Sequence, residues 1–81
     1  MKRIKDGTYL KPKQPNRFWR AFRVDLMLRH DGKCSYEVKC YGHDVDGVSM
    51  ERTIVMSQPG LEESSEIITE EVFNRIINNE N

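Results

Sequence analysis

From residue 17 to residue 56 apolar and polar side chains alternate, the period-two signature of strands with one buried face. In 17–29 the even positions Phe18, Phe22, Val24, Leu26 and Leu28 are apolar, with Arg20 the exception, while the odd positions carry Arg17, Trp19, Arg23, Asp25 and Arg29. In 34–41 Cys34, Tyr36, Val38 and Cys40 share one face, and Ser35, Glu37, Lys39 and Tyr41 the other. In 48–56 Val48, Met50, Ile54 and Met56 oppose Ser49, Glu51, Thr53 and Val55, and Arg52 again breaks the apolar set.

Lys5-Asp6-Gly7, His30-Asp31-Gly32 and Val45-Asp46-Gly47 punctuate the chain and read as three-residue hairpin loops. With His30-Asp31-Gly32 as a loop, Leu28 faces Cys34, Leu26 faces Tyr36, Val24 faces Val38 and Phe22 faces Cys40. This register also opposes Asp25 to Glu37 and Arg23 to Lys39, like charges that diagonal contacts or a bulge would relieve. The loop at 45–47 places Val38 opposite Ile54 and Tyr36 opposite Met56.

The period then changes. Thr69-Glu70-Glu71 ahead of Val72, Phe73, Ile76 and Ile77 is a capped, acidic helix start with an apolar stripe, predicting a helix over 69–79. Residues 61–68 read as a helical turn or as a loop with a short strand at 66–68. The two prolines of 11–16 exclude a central strand there and predict an extended basic connector. A small hairpin between 3–4 and 8–10 would precede it.

These elements predict an α+β fold in one domain over 1–81. An antiparallel meander sheet over 17–58 has three strands, or four or five if residues of the 1–16 arm pair, and packs on one C-terminal helix. The expected core is Phe18, Phe22, Val24, Leu26, Leu28, Tyr36, Val38, Cys40, Ile54, Met56, Val72, Phe73 and Ile76.

Charge adds a polarity that the net value of zero conceals. Residues 1–33 hold ten basic groups against three acids, a net +7; residues 34–81 hold three against ten, a net −7. At 81 residues a domain buries only about 60% of its unfolded surface, so a marginal core or an oligomer is expected. The longest apolar run, Leu26-Met27-Leu28, is far too short for a membrane span, and residues 1–6 lack the apolar stretch of a secretory leader. Cys34 and Cys40 on one strand lie too far apart to bridge, and unbridged thiols fit a cytoplasmic location.

Basic groups interleaved with rings are the candidate chemistry. Lys11, Lys13, Arg17, Trp19, Arg23, Arg29, Lys33, Lys39 and Tyr41 would form a cationic, aromatic wall on the solvent face, with guanidinium forks for phosphates and indole for bases. In outline, a three-stranded sheet backed by a C-terminal helix resembles the integrase arm-binding class of DNA-binding domains. The expected function is therefore a non-enzymatic module binding nucleic acid through that face and the N-terminal arm. The alternative uses Trp19, Met27 and Tyr41 as a protein contact, in a small regulatory or inhibitory protein or a homodimer.

Other chemistry finds little footing. His30, Cys34, Cys40 and His43 look like a ligand set in one dimension, but the intervening strand separates the cysteines beyond zinc-binding distance. Asp44-Val45-Asp46-Gly47 echoes a calcium loop, yet Gly42 would occupy the first ligand position and Thr53 the place of the bidentate Glu. Neither histidine has an evident nucleophile or a glycine-rich phosphate cradle nearby, so no catalytic residue, metal or cofactor is expected.

Overall fold

The computed structural model describes residues 4–14 and 16–78. Arg3, Pro15 and Asn79, which enter the expected hairpin, arm and helix, lie outside the described residues. The elements in order are β1 (Tyr9–Pro12), β2 (Trp19–His30), β3 (Lys33–His43), β4 (Ser49–Ser57), α1 (Gln58–Ser64), β5 (Ser65–Ile68) and α2 (Glu70–Ile77). All five strands form one antiparallel sheet in the order β4-β3-β2-β1-β5.

The β3–β4 hairpin follows its sequence pattern throughout: Val38 pairs with Ile54 and Tyr36 with Met56, and the 45–47 loop is closed by an Asp44 N–H to Val48 carbonyl bond of 2.9 Å. The β2–β3 hairpin does not. His30 belongs to β2 and pairs with Lys33, so the turn is the dipeptide Asp31-Gly32. Both residues have positive φ (51° and 75°), as a type I′ turn requires. From this shorter turn Leu26 pairs with Glu37 and Met27 with Tyr36; a bulge at Asp25 then restores the Val24–Val38 and Phe22–Cys40 pairs. The bulge removes the Asp25–Glu37 opposition, and the Arg23–Lys39 pairing remains.

A one-residue slip exchanges the faces of a strand. Leu26 and Leu28, expected in the core, are thus 45% and 37% exposed, and Met27 packs against the core instead. A second irregularity between Trp19 and Ala21 acts similarly: Trp19 pairs with Gly42 and Ala21 with Tyr41. The indole consequently shares a face with Phe22 and Cys40, not with Arg23 and Tyr41. Phe18, also expected in the core, is only half-buried.

The 11–16 arm is corrected too, because Lys11 and Pro12 belong to β1, an interior strand. Pro12 is tolerated because β1 pairs with β2 only at Tyr9 and Leu10; at Pro12 the remaining neighbour is β5. The 58–68 stretch contains both a helix and a strand. Ser57 caps α1 by accepting from Gly60 N–H, Pro59 sits in its first turn, and β5 pairs with β1.

The sheet is covered on both faces. One, the groove face, carries Leu10, Phe22, Val24, Tyr36, Val38 and Cys40, with Ile4 and with Leu61 from α1, which crosses from β4 to β5. The other, the helix face, carries Tyr9, Ala21, Arg23, Lys39 and Tyr41 and receives α2, capped by Thr69 as expected. Phe73 therefore packs away from the Phe22 core. Its ring lies 4.5 Å from that of Tyr9 and edge-on to Tyr41 at 5.2 Å. Fully buried Ala21 offers only a methyl group on this face, where α2 packs on β2 and β1. The integrase-like outline is exceeded, with five strands and a helix on each face.

Candidate functional site

The nine residues of the expected wall are divided by this architecture. Lys11, Arg23, Lys33, Lys39 and Tyr41 stand on the helix face; Trp19 and Arg29 stand on the groove face. Lys13 follows β1 and reaches the groove side, and exposed Arg17 lies in the connection to β2.

On the helix face three of the four expected cations are tied to acids. Lys11 Nζ is 3.0 Å from Glu66, Arg23 Nε donates to Asp25 at 3.0 Å, and Lys39 Nζ is 3.1 Å from Glu51. The Asp25 hydrogen bond raises the Arg23 pKa above its ordinary value. Arg23 and Lys39 also approach the Tyr41 ring, at 6.0 and 5.7 Å from its centroid. Tyr9 donates its hydroxyl to Glu70 (3.0 Å), and that bond, then burial, raises the phenol pKa. Of the three ion pairs, Lys11–Glu66 joins the basic first half to the acidic second half, whereas Arg23–Asp25 and Lys39–Glu51 each lie within one half. Lys33 projects at the exposed hairpin tip beside Arg29 and His30.

On the groove face, Trp19, Phe22, Ile54 and Met56 floor an open cavity of about 450 Å³. Lys13 stands on one rim and Glu63 of α1 on the other. The rim beside Trp19 is held by Asn16, whose Oδ1 accepts from the N–H groups of Phe18 and Trp19 at 2.9 Å each. Opposite Trp19 on β3 stands Gly42, where a Cβ would collide with the Phe18 carbonyl oxygen; only glycine lets β3 pass so near. Cys40 lines the floor, and burial pushes its thiol up to about 11, so it is not a nucleophile near neutral pH.

Lys13, Arg17, Arg20, Arg29, Lys33 and Arg52 have no ion-pair partner among the described residues, and Arg17 lies over the Phe18 ring at 5.4 Å. Among the described residues no three His, Cys, Asp or Glu side chains converge as metal ligands. None of their helices is long and apolar enough to cross a membrane.

The groove as such was not legible from alternation. Its α1 rim was announced by Ser57 followed by Pro59, a helix start signal, and its Trp19 floor depends on an irregularity that no periodicity reports. Comparison with protein-family models, with curated proteins and with solved structures finds no match to this chain.

Proposed function

We propose that this chain is a non-enzymatic binding module that holds an apolar segment of a partner protein in the groove beside Trp19. The carrying observation is the cavity itself: a half-open floor of indole, phenyl, isoleucine and thioether groups with a lysine at its rim. Trp and Met are enriched at the centres of protein interfaces, and a half-buried ring on an open floor is poised to be desolvated by a partner. The ion-paired helix face, by contrast, has few free cations for phosphates. A regulatory or inhibitory protein acting by contact fits this arrangement.

One observation favours a second reading. Lys13 and Arg20 line cavities with Trp19, and Arg17 lies two residues before it in the chain. None of the three has a carboxylate partner among the described residues, a basic setting suited to a single-stranded nucleic acid.

Salt separates the two. Trp19 is the sole tryptophan, so its fluorescence reports the groove directly. Binding of partner protein captured from the source cell should shift this emission, persist at high salt and be lost in Met56→Lys. If short single strands bind instead, with affinity falling steeply as salt rises, the protein-contact reading is wrong.

A further inference from the structure

We infer that the free edge of β4 pairs antiparallel with the β4 of a second copy, making a two-fold dimer with one continuous ten-stranded sheet. The two sheet edges are β4 and β5. The β5 edge is four residues long and carries Glu66. The β4 edge is nine residues long and contains neither proline nor lysine; its charged residues, Glu51 and Arg52, are adjacent and of opposite sign, and residues 53–57 beyond them are uncharged.

The direction of its backbone groups follows from the ladder. Asp44 N–H bonds to the Val48 carbonyl, so even residues of β4 exchange hydrogen bonds with β3. Odd residues, Glu51, Thr53, Val55 and Ser57, consequently turn their N–H and C=O groups outward.

The sequence of β4 accommodates a second copy as the occupant. A two-fold axis normal to the sheet keeps each face continuous, so a residue pairs with one of like parity. Centring on Glu51 or Arg52 would oppose that charge to itself. Centring on Thr53 would set Arg52 against Ile54 and Glu51 against Val55. Centring on Ile54 opposes Ile54 to Ile54, Thr53 to Val55, Arg52 to Met56 and Glu51 to Ser57, with no like charges opposed. In that register the outward groups of Thr53 meet those of Val55 twice. Val55, 62% exposed in one copy, gains a β-branched neighbour. Zero net charge adds no overall repulsion between copies. Because Ile54 and Met56 also line the groove, pairing would bring the two grooves side by side across the axis.

Sedimentation of the full chain at about 100 μM, where a micromolar contact is nearly saturated, tests this. A species of twice 9.6 kDa is expected. Thr53→Pro deletes an outward N–H and should weaken self-association at least about tenfold with the circular dichroism spectrum unchanged, whereas Thr53→Ala should retain it. If Thr53→Pro does not fold, Val55→Lys decides, and it should likewise weaken association. Exchange of the Thr53 and Val55 amide protons should slow as protein concentration rises. A wild-type monomer at this concentration overturns the proposal. So does a dimer that survives the deciding edge variant, or one lost on Met50→Lys in the groove face but not on edge substitution.

Discussion

The two faces of the sheet bury aromatic rings by different means, and the difference locates what is free to bind. On the helix face, Phe73 inserts between Tyr9 and Tyr41, and the surrounding lysines and arginine are neutralised by Glu66, Asp25 and Glu51. On the groove face, α1 contributes one fully buried residue, Leu61, and leaves the Trp19 end of the same apolar surface open. A helix that docks through a ring between two rings leaves little for a partner. A short helix crossing the face as a strap leaves a groove beside it.

The severest way to break this contrast is Gly42→Ala. The added methyl would collide with the Phe18 carbonyl oxygen and stand 3.0 Å from the Trp19 Cα, both backbone atoms that cannot swing aside. The start of β2 must then leave β3, taking Trp19 from the groove. We expect a loss of about 3–5 kcal/mol in urea unfolding and a red-shifted tryptophan emission. An unchanged emission maximum would mean that the indole is not held by this crossing.

The next largest effect compares the helix face with itself. Phe73→Ala should cost about 3 kcal/mol, because it empties the space between two tyrosines and unseats α2. Leu26→Ala, on the same face of the sheet, should cost under about 0.5 kcal/mol, since the bulge leaves that side chain 45% exposed. Equal costs in chemical denaturation would place Leu26 in the core and refute the bulged register.

The comparison also shows what was legible in the sequence. Alternation located β2, β3 and β4, the Thr69 cap located α2, and the β3–β4 register followed directly from a loop with a closing Asp44–Val48 bond. Alternation could not say which side Leu26, Leu28 or Trp19 would take, because each lies beyond an irregularity in β2. Asp25 did leave a trace: the like-charge clash with Glu37 in the unbulged register. Two of the three tripeptides ending in Asp-Gly join neighbouring strands and looked alike, yet Val45-Asp46-Gly47 gives a three-residue loop and His30-Asp31-Gly32 a two-residue turn with Asp31 itself left-handed. The division of the cationic residues between two faces followed from these shifts, so the candidate wall was readable as composition but not as a surface. Lys11 and Glu66 became partners only when β1 and β5 paired, a contact 55 positions long in sequence that no local pattern encodes.

Alkaline unfolding sharpens the comparison most finely, because the groove face holds a thiol and the helix face a phenol with a raised pKa, each for a different reason. On the groove face, burial pushes Cys40 from 9.0 to about 11; on the helix face, the hydrogen bond to Glu70 raises Tyr9 above 10.0. In both cases the folded pKa exceeds the unfolded one, so the proton is held more tightly in the native chain. Their stabilisation is complete below pH 9 and is lost as pH rises through the folded values, since the unfolded chain ionises first. For Cys40 the loss between pH 9 and 11 is about 2–3 kcal/mol. Cys40→Val should flatten the decline beginning near pH 9. Glu70→Gln should lower the Tyr9 pKa toward its ordinary value, seen in the tyrosinate absorbance, while leaving the thiol part of the curve in place. Were Glu70→Gln to shift the Cys40 titration as well, the sheet would couple its two faces, and they could not be treated as separate surfaces.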